Sequence, residues 1–254
     1  MSIDRRSAQS LLAFWTDAGV DAAYGEQAVD RTAAPTRGPP TPPNLAEAAA
    51  PEAGLAAEQA RNADSLEALG LAIAEFDGCP LKFQGARQAV FWRGVETAEV
   101  MIIGEAPGAD EDAQGVPFIG RAGRLLDKML AAAGLEGRVF ITNTVFWRPP
   151  GNRNPSVDEQ LSCAPFLERA IELVQPKFLL LVGAPAAKSI LNQSEGILTL
   201  RGRWFTWRAK SSDRAIPALP TLHPAFLLRQ PTAKKKAWQD LLLLTERLDR
   251  SIRM

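Results

Sequence analysis

The sequence predicts an α/β fold: a three-layer α/β/α sandwich around a central, mostly parallel four-stranded sheet. Two observations carry this. Four short, uniformly apolar runs, Val100–Ile103, Val139–Thr142, Phe178–Val182 and Ala218–Thr221, read as strands buried on both faces. Helical patterns separate them, and strands alternating with helices imply parallel crossovers with helices covering both sides of the sheet.

The elements follow in order. Residues Ser7 to Tyr24 show a helical pattern, with Leu11, Leu12, Trp15 and Val20 on one side, inside an N-terminal helical segment of residues 1–27. Residues 28–60 are rich in Ala and Pro, with Pro35, Pro39, Pro40, Pro42, Pro43 and Pro51, and from Ala28 to about Gln59 read as a linker unable to bury a core. Residues 61–254 form the expected catalytic domain. It opens with a helix from Ser65 to Glu75, capped by Asp64 or Ser65. Between and after the strands come helices over Arg121–Ala133, Val157–Val174, Ala184–Leu191 and Thr232–Arg250. No internal repeat is present.

Net charge is zero, with 29 basic and 29 acidic residues, but the charge is unevenly spread. From Arg201 to Met254 twelve Lys or Arg face four Asp or Glu, a net +8. The first 64 residues hold nine acids and five arginines, a net −4. A basic C-terminal section suits a polyanion such as nucleic acid, or else is an ordinary solvated helix face. Two distant cysteines, Cys79 and Cys163, make no disulfide framework. The first residues carry no signal-peptide pattern, and no apolar run approaches membrane-spanning length, so a cytoplasmic protein is expected.

Residues able to do chemistry gather where the strands end, which is where open α/β sheets place their sites. The single histidine, His223, follows the last strand in Thr221-Leu222-His223-Pro224-Ala225-Phe226-Leu227-Leu228-Arg229. A neutral imidazole there can donate one hydrogen bond to charge developing on a leaving group, or can merely cap a loop. The first strand runs into Gly104-Glu105-Ala106-Pro107-Gly108, with Glu111 beyond, and then Pro117-Phe118-Ile119-Gly120-Arg121-Ala122-Gly123 opens a helix. Glycine lets backbone approach a ligand closely, helix-terminal amides favour anions, and the two glutamates offer carboxylates for water activation. The same stretch also reads as an ordinary strand-to-helix loop with solvated acids. The second strand ends at Asn143, followed by Arg148-Pro149-Pro150-Gly151-Asn152-Arg153. An Asn amide carries both donor and acceptor, which suits a base edge or, equally, an Asx turn.

In this order and combination the five segments closely resemble the uracil-DNA glycosylase superfamily, nearest to its family 4 type, over roughly Ser65 to Leu248. The resemblance implies a monofunctional glycosylase that flips uracil out of DNA and hydrolyses its N-glycosidic bond, leaving an abasic site. It implies that Phe118 stacks on the flipped uracil, that Asn143 pairs with its polar edge and rejects cytosine, and that His223 stabilises charge at uracil O2. Glu105 would position water or stabilise the sugar cation. Ala106 counts among the substrate contacts, and Glu111 would lie near the pocket and help exclude bulkier bases. Leu227, Leu228 and Arg229 would form the wedge filling the vacated stack. Gly120, Arg121, Gly123, Arg153 and Lys234 would contact DNA. The partner is uracil-containing DNA, and a monomer is expected.

One departure concerns the iron–sulfur cluster that family 4 members usually carry. Two of the four matching positions hold Cys79 and Cys163, but the other two hold Phe76 and Trp147. Such a cluster needs about four thiolates, so it is expected to be lost and no cofactor is expected. No cluster of acids or histidines suggests a catalytic metal. Two other functions remain open on sequence alone. One is a glycosylase for another deaminated base such as hypoxanthine or xanthine; the other is a non-catalytic binder of uracil-containing or abasic DNA.

Overall fold

The computed structural model describes residues 45–209 and 214–252. The helical segment expected over residues 7–24 and most of the expected linker lie outside them. In chain order the elements are α1 (Leu45–Asn62), α2 (Leu66–Glu75), β1 (Arg93–Gly94), β2 (Val100–Gly104), α3 (Ala109–Gln114) and α4 (Arg121–Ala132). Then follow β3 (Val139–Asn143), α5 (Val157–Val174), β4 (Phe178–Val182), α6 (Ala184–Leu191), α7 (Ile197–Leu200) and β5 (Phe205–Arg208). The chain closes with β6 (Ala215–Thr221), α8 (Pro224–Arg229) and α9 (Lys234–Ile252).

The sheet has six strands in the order β1-β3-β2-β4-β6-β5, not the expected four. The four inner strands are mutually parallel, whereas β1 and β5 add antiparallel at the two edges. The physical reason for the miss is burial. Strands β2, β3 and β4 are buried at every residue and therefore read as continuous apolar runs. Strand β1 is two residues long, and β5 buries only Trp207, so neither leaves such a run.

Alternate residues of the inner strands feed two cores. Met101, Ile103, Phe140, Leu179 and Leu181 pack beneath α1, α2 and α5, against Phe166, Ala170 and Ile171. Val100, Ile102, Ile141, Leu180 and Leu219 face the other way, against Leu126 and Leu130 of α4 and Leu241, Leu244 and Leu248 of α9. This is the expected three-layer arrangement, set by the period of two along a strand.

The expected linker is corrected at its C-terminal part. From Leu45 the chain is helical, and Ala56 and Ala60 of α1 are buried in the core beside α5. Alanine buries little area per residue, but it is the strongest helix former, and its small side chain lets two helices approach closely. Next along the chain, Ser65 caps α2 by accepting the Ala68 N–H, one of the two caps expected. No described helix is long and apolar enough to cross a membrane.

Candidate active site

Because the inner strands are parallel and in register, their carboxyl ends align. Gly104 pairs across from Asn143, and Val182 from Thr221. A cavity of about 610 Å³ opens beyond these ends, walled by Glu105, Phe118, Arg153, Gly183, His223 and Arg229 among others.

The base of the site is built around missing side chains. A Cβ on Gly104 would lie 2.4 Å from the Phe118 ring and 2.5 Å from Asn143 Oδ1, so only glycine lets both converge on the end of β2. Asn143 is 1 % exposed and is not itself on the cavity wall, and its Oδ1 has no partner. Phe118 adopts a left-handed backbone at φ 55°, a strained region for a bulky residue. Two contacts hold it there. The Arg93 guanidinium donates to the carbonyls of Pro117 (2.8 Å) and Phe118 (3.1 Å) and pairs with Asp127. Gly123 leaves room on the other side, since a Cβ there would strike the Phe118 carbonyl oxygen. Sequence reasoning missed Arg93, because its partners are long-range and only the fold brings them together.

Glu111 holds the loops together. Its carboxylate accepts the N–H of Gly108 (3.1 Å), Ile119 (3.0 Å) and Gly120 (2.9 Å). It lines the cavity as expected, but its oxygens are engaged with backbone, so it acts as a brace before it acts on any base. Two of the expected phosphate contacts, Gly120 and Gly123, also have a structural role. The Gly120 amide already donates to Glu111, and Gly123 is buried under Phe118, so both glycines serve the loop's shape. Arg121 is exposed at the start of α4.

Glu105 is tied through its backbone. Its carbonyl accepts from the Thr144 hydroxyl (2.7 Å) and the Val145 amide (3.3 Å). Its side chain is not tied: Oε1 is buried without a partner, and burial pushes the carboxyl pKa up to about 7.

His223 turns out to be both a cap and a free donor. It is the N-cap of α8, and its Nδ1 accepts the Ala225 N–H at 3.1 Å. That bond fixes the neutral tautomer with the proton on Nε2. Burial, reinforced by the nearby Arg229 charge, lowers its pKa to about 4, so the ring is neutral near pH 7. Its ring lies 5.8 Å from that of Phe118, tilted by 33°. Gly183, at φ 98°, provides the space beside its Cβ.

The expected wedge is corrected in part. The segment is the helix α8, and it turns Leu227 into the core with Leu222 and Ala237, fully buried. Leu228 and Arg229 remain exposed, and Arg229 reaches the cavity wall. Arg153 also lines the cavity but is committed to Glu159 through two hydrogen bonds of 2.6 and 2.8 Å, with Gln84 as a further acceptor. That pairing holds the Glu159 carboxyl below the usual carboxylate range.

Away from the cavity, the two cysteines meet under α5. Cys163 donates to Cys79 with the sulfurs 3.8 Å apart, both fully buried. The hydrogen bond from Cys163 lowers the pKa of Cys79, whereas burial raises that of Cys163. Phe76 and Trp147 belong to the same core, with Phe76 edge-on to Phe166 at 5.1 Å. Among the described residues no group of three or more His, Cys, Asp or Glu is placed to hold a metal ion. With two cysteines in the chain, the thiolates present do not fit a four-thiolate cluster.

These features can be set beside known proteins. The sequence model of the uracil DNA glycosylase superfamily matches residues 91–242. A type-4 uracil-DNA glycosylase of Sulfurisphaera tokodaii is 38 % identical over 189 residues, 72 % of this chain and 84 % of that protein. A type-4 uracil-DNA glycosylase of Saccharolobus solfataricus is likewise 38 % identical, over 73 % of this chain and 87 % of its own. One from Thermotoga maritima is 33 % identical over 65 % and 83 %. The matched span holds the inner strands and every residue placed around the cavity, and on that ground the chain belongs to the uracil-DNA glycosylase superfamily.

Proposed function

We propose that the protein is a monofunctional DNA glycosylase that excises uracil and leaves an abasic site. One observation carries the reading. Of the three buried side-chain oxygens without a partner among the described residues, two are Glu105 Oε1 and Asn143 Oδ1, both at the strand ends that form the site. Buried polar atoms are normally satisfied, so these are held open for a ligand.

The chemistry follows from the donors. With the base out of the stack and against Phe118, Asn143 Oδ1 accepts from uracil N3–H while its amide donates to O4. Cytosine presents the reverse pattern at both atoms and leaves the buried amide mismatched. As the glycosidic bond breaks, negative charge grows on uracil O2, and His223 Nε2–H donates to it. A neutral donor whose orientation is already fixed needs no reorganisation at that moment. Glu105 in its carboxylate form orients the attacking water or stabilises the cationic sugar. Ala106 shapes the wall beside it, Leu228 and Arg229 fill the gap left in the duplex, and Arg121, Arg153 and Lys234 face the DNA backbone. A monomer is the proposed working form. The working compartment is the cytoplasm.

The test is incubation with end-labelled uracil-DNA followed by alkali, repeated with hypoxanthine and xanthine substrates. Alkali-labile breaks at uracil are expected. Tight binding to uracil-DNA without breaks would replace this reading with that of a binding module, and breaks confined to deaminated purines with that of a purine glycosylase.

We further propose that the iron–sulfur cluster is lost and that Phe76 and Trp147 fill its place by packing. Burying each contributes roughly 1.5–3 kcal/mol. Anaerobically purified protein is expected to be colourless and free of stoichiometric iron. A broad visible band with matching iron would overturn this.

A further inference from the structure

A second groove lies next to the cavity and, apart from Lys234 on its rim, has been given no role above. It has a volume of about 280 Å³ and is lined by Leu125 and Met129 of α4 and by Lys234, Lys235 and Trp238 of α9. Trp238 is 37 % exposed, large for the biggest aromatic side chain, and Leu125 and Met129 are half-buried. Apolar side chains make the floor, two ammonium groups make the rim, and no carboxylate lines it. The acid on this stretch of α9, Asp240, is buried and committed to Arg201 and Thr221.

Two further observations point to a polyanion that also presents flat apolar faces. First, α9 begins with Lys234, Lys235 and Lys236 and has no acid in its first turn. Cations at a helix N-terminus oppose the helix dipole, so this placement is locally unfavourable and concentrates positive potential at one point. None of the three lysines has an ion-pair partner among the described residues. Second, the groove continues from the cavity along the same helix. Ala122 of α4 lines the cavity, and Leu125 and Met129 line the groove. At 1.5 Å rise per residue the two are about 5–10 Å apart along the axis, a displacement of one to three nucleotides.

We propose that this groove is a stacking subsite for a nucleobase flanking the lesion, with Trp238 as the platform and Lys234 and Lys235 on the adjoining phosphates. It rests on the reading of the main cavity as a glycosylase site. Aromatic platforms with flanking cations bind unpaired strands with little regard to sequence, because every base has a stacking face. The subsite therefore favours DNA whose flank is single-stranded or frayed.

The test separates flank binding from excision. Affinity is measured with undamaged single-stranded oligonucleotides of 6 and 24 nucleotides, and single-turnover excision with a uracil oligonucleotide whose arms are too short to reach the groove. Trp238→Ala is expected to weaken 24-mer binding by about 5- to 100-fold. The loss is expected to be restored by Trp238→Phe, and excision from the short-armed substrate to be unchanged. Lys235→Glu, an exposed change that leaves the floor intact, is expected to weaken 24-mer binding and to lower its salt dependence. Wild-type affinity for the 24-mer in Trp238→Ala, or in Lys235→Glu should Trp238→Ala fail to fold, would overturn the subsite. Absence of excision by the wild-type chain would instead overturn the glycosylase reading and leave the binding result standing.

Discussion

The cavity and the cysteine pair are both buried regions, and they treat their polar atoms in opposite ways. At the cavity, Glu105 Oε1 and Asn143 Oδ1 are shielded from water with nothing to bond to, and a glutamate carboxyl is held near pH 7 by burial. Around Cys79 and Cys163, one thiol donates to the other, and Phe76, Phe166 and Trp147 are packed with almost no exposure. The first region leaves buried polar atoms unpaired and, on the proposed function, is completed by a ligand. The second is complete without one. Change at the first should therefore be read in rates, and change at the second in stability.

The most severe change on this view lies in the packed region. Trp147→Ala removes a large side chain that is 2 % exposed and is expected to lower stability by about 3–5 kcal/mol. Urea denaturation measures this, while single-turnover excision by the folded fraction stays near wild type. Unchanged stability with lost excision would erase the contrast between the two regions.

His223→Ala is the matching change at the cavity. The excision rate is expected to fall by about 10²–10³-fold, the usual effect of removing one such donor. Affinity for uracil-DNA should change little, because the partner gains its charge only in the transition state. The same substitution removes the α8 cap, so stability should fall by about 1 kcal/mol. A rate unchanged at saturating enzyme would reduce His223 to its capping role.

Glu105→Gln sharpens the comparison through pH. Glu105 has a pKa of about 7 in the folded protein, against an ordinary 4.5. The folded state thus holds the proton more tightly, and that stabilisation is present below about pH 4.5 and lost as pH rises through 7. The variant is expected to be more stable than wild type at pH 8, by about 1–2 kcal/mol after allowing for solvent screening of the partly exposed carboxyl, and much less so at pH 5. Its excision should be slower and lack the rise near pH 7. Equal melting temperatures at pH 8 would show that Glu105 carries no desolvation burden.

The smallest expected effect is one of selectivity. Asn143→Asp should reduce uracil excision and admit weak excision of cytosine, whose amino group a carboxylate can accept. Product analysis on matched uracil and cytosine oligonucleotides decides it. Full uracil activity with cytosine still refused would take base reading away from Asn143.

What the sequence disclosed depended on whether a feature had a local signature. The inner strands β2, β3 and β4 announced themselves through burial on both faces, and His223 and Asn143 stood out as polar residues terminating such runs. Helix α1 was hidden because alanine-rich composition resembles a linker until a partner helix is known. Leu227 and Leu228 look alike as letters, yet successive residues on a helix point about 100° apart, so one enters the core and the other meets solvent. The work of Glu111 was illegible for a deeper reason. Its Gly108 partner is local, three residues away, but Ile119 and Gly120 reach it just after Phe118, whose left-handed backbone no propensity assigns to phenylalanine.

That same carboxylate bears on how a lesion is found. With one glutamate clasping Gly108, Ile119 and Gly120, the walls on either side of the entrance are fastened before any DNA arrives. Little ordering of these two loops then remains to be done on arrival. On the proposed function, a preformed site of this kind favours nucleotides that swing out of the duplex readily, and mispaired bases, which unstack more easily, ahead of paired ones.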